Sequence, residues 1–376
     1  PTNVVCHACM TMIALLHDIL DFARQFVPSP ITLINKYQFS PADLDGRRHI
    51  ASLSSSSPTA SSAPSLSSSI NTTKPSNYDI NILATIDILS YNINNFVARS
   101  PTRAKRISNA IFSSGADIVL LQETNAAWKE LFDAIISSVA SQFRYSYFHH
   151  PAITERAAGG IAILSKYPLE SVRVLDIGKD IHGSVFPALS CEVHVPIVTS
   201  HLDATEVSNP FSDQNIRMNI ANVHLRPPVE LDGSAGLETA RKTEPIRINE
   251  VKELIQMAAC IKGGGTTKNA QPPFDIIAGD FNEGDNAGAL RHLTNLGYID
   301  ALQRHVPRSK ETHTWPYMRN LWTLRKRLDH ILWHEGTLAT TYKEGGENGY
   351  IIKLQCLGCG VMTGYENNAS DHQPVL

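Results

Sequence analysis

The sequence lacks any apolar run approaching the roughly 18 residues that cross a membrane, so we predict no transmembrane segment. It also lacks a strong charge bias, because 33 Lys and Arg residues face 36 Asp and Glu residues and leave a formal charge of −3. This balance argues against a broadly basic surface that coats nucleic acid, but it leaves room for a local phosphate-binding cleft. Hydrophobic residues make up 42% and charged residues 18%, as in an ordinary globular protein.

Cysteine is scarce, with six residues in the whole chain. Four of them form two Cys-x-x-Cys pairs, Cys6/Cys9 and Cys356/Cys359, which together could offer four thiolates to zinc. The pairs lie at opposite ends of the chain, and neither has a histidine at ligand spacing. We therefore favour reduced thiols in an intracellular protein, whose compartment the sequence does not indicate.

Composition divides the chain into three segments. Residues 1–50 contain an amphipathic stretch and are interpreted as a helical N-terminal extension to which no function is assigned. Residues 51–78 include eleven serines within 52–69, which predicts a disordered linker. Residues 79–376 are predicted to form one folded domain. Because the chain begins with Pro1 and ends inside a strand-like pattern, we expect a fragment whose last strand is truncated.

Strand and helix patterns are interspersed from residue 81 onward. Short runs with apolar or alternating character predict strands at 82–89, 117–121, 145–149, 160–164, 171–175, 188–195, 218–225, 274–278 and 328–333. Apolar residues at helical spacing predict helices at 103–114, after a cap at Thr124 or Asn125, at 245–261 and at 287–296. This pattern predicts an α/β fold of two packed sheets flanked by helices.

The stretch from Phe274 to Asn282 is the most informative. Its apolar residues predict a buried strand that Gly279 ends, and Asp280 and Asn282 follow two residues apart. On an extended backbone such residues point the same way, so a carboxylate and an amide would face one point. Asp can take a proton from water, and Asn can hold an oxyanion or a water without adding charge.

Polar residues recur at the ends of other predicted strands. They are Asn92, Asn94, Glu123, Asp329, His330, Asp371 and His372. A sheet brings successive strand ends together, so these side chains are expected to cluster with Asp280 and Asn282. Carboxylates of Glu123, Asp329 and Asp371 at one place would repel each other, and Mg²⁺ or Mn²⁺ would relieve that repulsion.

Seven short motifs, in order, resemble those of the endonuclease/exonuclease/phosphatase superfamily, which has the DNase-I-like fold. The motifs are Ser90–Asn94, Asp117–Thr124, Gly159–Ser165, Asn222–Leu225, Ile277–Asn282, Arg327–Leu332 and Ser370–His372. The resemblance covers about residues 81–376. It implies a four-layer α/β sandwich of two mixed sheets flanked by helices, and metal-assisted hydrolysis of phosphoester bonds.

The resemblance also implies a metal site. Glu123 would be the principal Mg²⁺ ligand, with Mn²⁺ as a possible substitute. Asn94 and Asp371 would lie near the metal. Asn94 stands where the superfamily often has Asp, so its effect on metal affinity is open.

Catalytic roles follow by the same carry-over. Asp280 would orient or deprotonate the attacking water, and Asn92 and Asn282 would hold phosphate oxygens or that water. His372 would contact the scissile phosphate. Asp329 would fix the tautomer of His372 and raise its basicity.

The superfamily has a further histidine at the end of a mid-chain strand, and two residues fit that description. His224 is favoured over His201, because the shorter interval to Asp280 already holds the predicted helix and its loops. Arg226 would begin a loop at the cleft rim and bind substrate. Trp315 would line the cleft, although a packing role fits it equally well.

We therefore predict a Mg²⁺-dependent phosphoester hydrolase, with a nuclease-type phosphodiesterase favoured. One alternative is an enzyme acting on inositol phosphates or phospholipids, because a fold does not choose its substrate. The other alternative is a non-catalytic scaffold whose cleft binds a partner. The buried charges argue against a scaffold, because they are costly without a role. The sequence does not indicate an oligomeric state.

Overall fold

Two mixed β-sheets form the centre of the structure, which is a computed structural model. It describes residues 84–138, 143–150, 159–178, 186–196, 215–228, 237–261, 272–306, 314–319, 322–335, 337–341, 350–362 and 369–376. The predicted N-terminal extension, the predicted linker, the Cys6/Cys9 pair and His201 lie outside these residues. Within them, no helix is long and apolar enough to cross a membrane.

The first sheet has four strands. They are β1 (Ile88–Asn92), β2 (Ile118–Gln122), β3 (Tyr145–His149) and β4 (Ile161–Ser165), in the order β1-β2-β4-β3. β1 and β2 are parallel and are joined through helix α1 (Pro101–Ser113), whereas the other pairs are antiparallel. Asn92 and Glu123 therefore stand at the same edge of this sheet, one at the end of β1 and the other just after β2.

The second sheet has six strands, and its central pairs place the reactive side chains. The strands are β5 (Leu169–Leu175), β6 (Ala188–Pro196), β7 (Asn215–His224), β8 (Ile276–Asp280), β9 (Tyr298–Asp300) and β12 (Asp329–His334). Their order is β5-β6-β7-β8-β12-β9, and β7 and β8 are the parallel pair. The register sets Asp280 beside His224 on one side and beside Asp329 on the other.

Helices cover the outer face of each sheet. α1 and α2 (Ala126–Ser138) pack on the first sheet, in a cluster that includes Ile107 and Trp128. α3 (Leu237–Ile261) and α4 (Gly288–Asn295) pack on the second, through residues such as Leu254 and Leu293. The layers are therefore helix, sheet, sheet and helix, which confirms the predicted α/β sandwich.

Two hairpins, a short helix and a 3₁₀ turn (Val97–Arg99) complete the described elements. They are α5 (Ala301–His305), β10 (Trp315–Arg319) with β11 (Trp322–Lys326), and β13 (Thr337–Thr341) with β14 (Tyr350–Lys353). The β10–β11 hairpin lies in the chain between Thr314 and β12. It therefore leaves the sheet next to the strand that carries Asp329.

Buried amides join the two sheets. Gln122 Nε2 donates to Asn222 Oδ1 at 2.7 Å, and Asn222 Nδ2 donates to the carbonyls of Leu121 and Ala162 at 3.0 and 2.8 Å. Both side chains are fully buried. Because buried polar groups are costly unless they are paired, this arrangement favours one relative position of the sheets.

The sequence predicts that Gly279 ends a strand, and that prediction is wrong. β8 continues through Gly279 to Asp280. Gly279 has a φ of 145°, and a Cβ there would lie 1.9 Å from the Val223 carbonyl oxygen. The glycine thus permits a close approach of β7 and β8, and the missing side chain marks contact between strands instead of a strand end.

Helix α3 begins eight residues before the predicted start at Pro245. Proline is favoured in the first turn of a helix, so the sequence pattern placed the start there. The preceding residues 238–244 include Glu, Ala, Arg and Lys, which are strong helix formers, and the helix accepts Pro245 in its interior. The predicted cap of α2 is confirmed at Asn125, whose Oδ1 accepts from Trp128 N at 3.0 Å.

Candidate active site

Asp280 is the meeting point of the two sheets. Its Oδ2 accepts a 3.0 Å hydrogen bond from Asn92 Nδ2, although Asn92 belongs to the first sheet and Asp280 to the second. The same oxygen lies 3.7 Å from His224 Nε2 and 3.6 Å from His372 Nε2. Asp280 is 1% exposed, so its carboxylate contacts these polar groups in a site that is almost closed to solvent. The arrangement suits a group that accepts a proton or holds a water.

His372 is held by Asp329. Its Nδ1 lies 2.8 Å from Asp329 Oδ2, which fixes the ring so that Nε2 is turned toward Asp280. Burial lowers the pKa of His372, but the charges of Asp329, Asp280 and Asp371 and the hydrogen bond to Asp329 together raise it well above its usual value. The imidazolium form is therefore favoured at neutral pH, and it can donate a proton or a hydrogen bond.

Glu123 and Asp371 form a second acidic group on the side of the first sheet. Asn92 Nδ2 donates to Glu123 Oε1 at 3.2 Å, and the Asn95 amide nitrogen donates to Glu123 Oε2 at 3.2 Å. Asp371 Oδ1 accepts from Asn94 Nδ2 at 2.9 Å. Burial and then the charge of Asp371 raise the pKa of Glu123 from 4.5 to about 7.

Three residues of the site adopt a left-handed backbone conformation. Asn94 and Glu123 each have a φ of 57°, and Asn282 has a φ of 52°. Asn tolerates this region, whereas for Glu it costs about 1–2 kcal/mol. Each of the three follows directly or closely on a strand end, so the chain turns sharply there and directs the side chain into the site. Such strain is typical of functional positions.

The donor set fits a hard divalent cation. Glu123 and Asp371 are carboxylates whose mutual repulsion contributes to the raised pKa of Glu123, and a cation would remove that repulsion. Asp280, Asp329 and His372 also bring ligand-type atoms within 4.8 Å of one another. Asp329 Oδ1 is buried without a hydrogen-bond partner among the described residues. Carboxylate oxygens of this kind suit Mg²⁺ or Mn²⁺.

A stability measurement can check the energetic cost of ionising Glu123 in the folded protein. Its folded-state pKa of about 7 lies above the ordinary pKa of 4.5, so ionisation of Glu123 destabilises the metal-free fold as pH rises between these values. Glu123→Gln is therefore expected to raise the free energy of unfolding by about 3 kcal/mol at pH 8, and by almost nothing below pH 4.5. Urea unfolding in chelator across this pH range measures the difference. Glu130→Gln, at an exposed position of α2, is the matched control, and a pH-independent difference would contradict the assignment.

Asn282 lies in the site but departs from the expected geometry. The sequence predicts an extended backbone on which Asp280 and Asn282 face one point, and the left-handed φ of Asn282 shows this to be wrong. Instead, the Asn282 amide nitrogen donates to Asp280 Oδ1 at 2.8 Å, and its Nδ2 donates to the Leu225 carbonyl at 2.9 Å. Asn282 therefore fixes the orientation of Asp280 through the carboxylate oxygen that does not bond to Asn92.

The remaining predicted residues are His224, Arg226 and Trp315. His224 is 3% exposed, ends β7 and packs edge-on against Phe186 with ring centroids 4.8 Å apart. Arg226 donates its amide to Glu250 Oε2 at 2.9 Å, and its carbonyl accepts from Arg247. Trp315 is half-buried at the first position of β10. The structure brings Asn92, Asn94, Glu123, His224, Asp280, Asn282, Asp329, Asp371 and His372 together in one network of contacts.

Sequence reasoning missed a buried ion pair beneath the site. Arg247 Nε donates to Glu283 Oε1 at 2.8 Å, and the two side chains are 3% and 1% exposed. Glu283 follows Asn282 directly, so this pair supports the turn that orients Asp280. Its only sequence signal is an acidic residue next to the Asp-Phe-Asn motif, and nothing in the sequence identifies an arginine 36 residues earlier as the partner.

Ser370 lies in a recognised motif, but the sequence analysis assigned it no role. Its hydroxyl donates to the Asn92 carbonyl at 2.7 Å and accepts from the His372 amide nitrogen at 3.2 Å. Ser370 therefore ties the C-terminal segment to the end of β1. Its place immediately before Asp371 and His372 is the signal that could have found it.

The chain was compared with protein families and with solved structures. A model described as the Endonuclease/Exonuclease/phosphatase family matches residues 89–372. Solved structures that match include truncated Caenorhabditis elegans TDP2, with 16% identity, a TM-score of 0.47 and coverage of 77% of this chain and 95% of that one. The human Nocturnin catalytic domain with bound sulfate matches with 15% identity, a TM-score of 0.48 and coverage of 77% and 92%.

A bacterial structure gives a similar result. A family protein from Leptotrichia buccalis C-1013-b has 14% identity, a TM-score of 0.48 and coverage of 77% of this chain and 98% of its own. No curated protein sequence matched the chain at the required significance.

Proposed function

Because this chain belongs to the Endonuclease/Exonuclease/phosphatase family, we propose that it is a divalent-metal-dependent phosphodiesterase that cleaves nucleic acid. The observation that carries the proposal is the placement of the Asp280 carboxylate between Asn92, His224 and a His372 ring that is itself held by Asp329. That placement supplies a proton acceptor and a cationic donor within 3.6 Å of each other. Hydrolysis of a phosphodiester needs both.

Asp280 is the proposed acceptor for the attacking water. Asn282 fixes its Oδ1 through the backbone amide, so Oδ2 is the oxygen left to meet Asn92, the histidines and a water. The water oxygen bonds to phosphorus and its proton passes to Asp280, while the bond between phosphorus and the leaving oxygen breaks. The leaving oxygen keeps the bonding electron pair and takes a proton from solvent. Burial raises the pKa of Asp280 and Asp329 raises it further, while His372 and His224 oppose the shift. A raised pKa makes the carboxylate a better base.

His372 is the proposed partner of the phosphate. With Nδ1 committed to Asp329, its Nε2 donates to a phosphoryl oxygen as negative charge develops there. A divalent cation bound by Glu123 and Asp371 would supply further stabilisation of charge on the phosphoryl and leaving-group oxygens. Asn94 holds Asp371 in place for this purpose through the 2.9 Å hydrogen bond.

The β10–β11 hairpin supports a nucleic-acid substrate. Residues 315–326 contain two Trp, one Tyr, two Arg and one Lys, and they contain no acidic residue. The strand register sets Trp315 opposite Lys326 and Arg319 opposite Trp322. Aromatic residues that stack on bases, interleaved with cations that meet phosphates, are the composition that binds single-stranded nucleic acid. The hairpin stands two residues before β12, which begins with Asp329.

A substrate panel tests the proposal. Single-stranded DNA, RNA, an inositol phosphate and phospholipid vesicles are incubated with the full chain in Mg²⁺, in Mn²⁺ and in excess chelator. We expect cleavage of an oligonucleotide with either metal, no cleavage in chelator, and recovery when metal is restored. Preferential hydrolysis of the inositol phosphate or of the vesicles would instead identify that class as the substrate. Turnover of none of them would support a non-catalytic scaffold.

The role of Glu123 in holding metal gives a separate expectation. Glu123→Gln is expected to raise the metal concentration needed for half-maximal activity by at least roughly 10-fold, because a neutral amide is a poorer ligand than a carboxylate. Titration of activity against Mg²⁺ measures this shift, with Glu130→Gln as the control. An unchanged metal requirement would show that Glu123 is not a metal ligand.

A further inference from the structure

Thr314 has no assigned role, yet it is fully buried beside the residues that hold His372. Its hydroxyl oxygen accepts hydrogen bonds from two consecutive backbone amides, Leu328 N at 2.8 Å and Asp329 N at 3.1 Å. These amides lie where the chain enters β12. The hydroxyl therefore fixes the backbone at the first residue of the strand, and that residue is Asp329.

The backbone of Thr314 holds the other half of the pair. Its carbonyl oxygen accepts from Gln373 N at 2.7 Å, and Gln373 directly follows His372. The Thr314 amide nitrogen donates to the Lys326 carbonyl at 2.9 Å and closes the base of the β10–β11 hairpin. One buried residue thus contacts the segment that carries Asp329 and the segment that carries His372.

The orientation of Asp329 depends on this support more than that of Asp280 depends on its own backbone. Its Oδ2 bonds to His372 Nδ1, but its Oδ1 has no hydrogen-bond partner among the described residues. Asp280 is different, because Asn282 N fixes one of its oxygens and Asn92 the other. A carboxylate held through one oxygen takes its orientation from its own backbone, and Thr314 holds the backbone of Asp329.

We propose that Thr314 is a positioning residue that sets the Asp329–His372 pair in register through its hydroxyl group. The proposal rests on the hydrolytic function proposed above. Without the hydroxyl, two buried amides lose their acceptor and the start of β12 is free to shift. Asp329 Oδ2 then no longer lies in line with His372 Nδ1, and the Nε2 of His372 is no longer aimed toward Asp280.

Thr314→Val and Thr314→Ser form the test, because valine keeps the shape without the hydroxyl and serine keeps the hydroxyl. In the valine variant we expect kcat on the oligonucleotide to fall at least 10-fold while KM stays within twofold. In the serine variant we expect kcat within about threefold of the unmodified protein. Thr294→Val is the matched control, because the Thr294 hydroxyl donates to the Leu290 carbonyl within its own helix, α4.

A second measurement does not depend on turnover. The Nδ1 proton of His372, bonded to Asp329, is followed by proton NMR on the metal-free protein labelled at histidine. We expect the downfield resonance of this proton to be present in the unmodified, Thr314→Ser and Thr294→Val proteins, and to be lost or shifted in Thr314→Val. If the valine variant does not fold, Thr314→Ala takes its place in both measurements.

The outcomes separate this inference from the proposed function. An unchanged resonance and unchanged kcat in the folded valine or alanine variant would overturn the role of Thr314. An equal loss in Thr314→Ser would also overturn it, because the hydroxyl would then not be the cause. If no substrate is hydrolysed by the unmodified protein, the proposed function fails, and the resonance alone still decides whether Thr314 positions the pair.

Discussion

Replacement of Asp280 by asparagine is expected to lower kcat by roughly 10³-fold with little change in KM, because it removes the proposed proton acceptor and leaves the rest of the site in place. An amide in that position cannot take a proton from water. The residual rate would come from His372 and the bound metal.

The measurement is steady-state hydrolysis of an oligonucleotide, with unfolding followed in parallel. Asp280→Asn removes a buried charge whose pKa burial raises, so we expect no loss of stability in the metal-free protein. Asp133→Asn is the matched control, because Asp133 lies on the exposed side of α2 in an ion pair with Lys129. A folded Asp280→Asn protein with kcat within 10-fold of normal would exclude Asp280 as the base.

Replacement of Arg247 by methionine is expected to lower the free energy of unfolding by about 3–5 kcal/mol, because it strands the buried carboxylate of Glu283. The Glu283 side chain is 1% exposed, and its other oxygen accepts from the Ala289 amide nitrogen at 2.9 Å. Arg247 also donates to the carbonyls of Arg226 and Ala240, at 3.1 Å each. The substitution therefore releases the loops after β7 and β8 from α3 together.

Urea unfolding at pH 7 measures the loss of unfolding free energy, and two further variants test whether the buried ion pair causes it. Arg291→Met is the control, since Arg291 is 66% exposed and lies 3.6 Å from Glu244, and such surface pairs contribute at most about 1 kcal/mol. The double variant Arg247→Met with Glu283→Gln is expected to recover part of the loss, because it no longer buries an unpaired charge. A loss below about 1 kcal/mol for Arg247→Met would show that water reaches Glu283.

The sequence was sufficient to predict the residues that stand at strand ends. Asn92, Glu123, His224 and Asp280 each end or directly follow a strand that local apolar patterns identify. Parallel pairing of β1 with β2 places Asn92 beside the position of Glu123, and parallel pairing of β7 with β8 places His224 beside Asp280. The packing of the two sheets then joins the two pairs, and only the motif resemblance implied that two-sheet sandwich.

The individual hydrogen bonds between distant parts of the chain were only partly predictable. The resemblance placed Asn94 and Asp371 near one metal, but nothing in the sequence indicated their direct hydrogen bond across 277 positions or the pairing of Arg247 with Glu283 across 36. Such partners are chosen by how helices and sheets pack, and local propensity does not encode that choice. The left-handed turn at Asn282 was missed because the extended pattern of β8 was continued past its end.

The division of the site between two sheets has a consequence for how the chain folds. Asn92 and Glu123 come from the first sheet, and His224, Asp280 and Asp329 come from the second, with Gln122 and Asn222 joining them. Neither sheet alone carries both Glu123 and the neighbouring pair His224 and Asp280. Activity therefore has to appear late in refolding, after the sheets dock. The delay between the gain of secondary structure and the gain of turnover would report the time that docking takes.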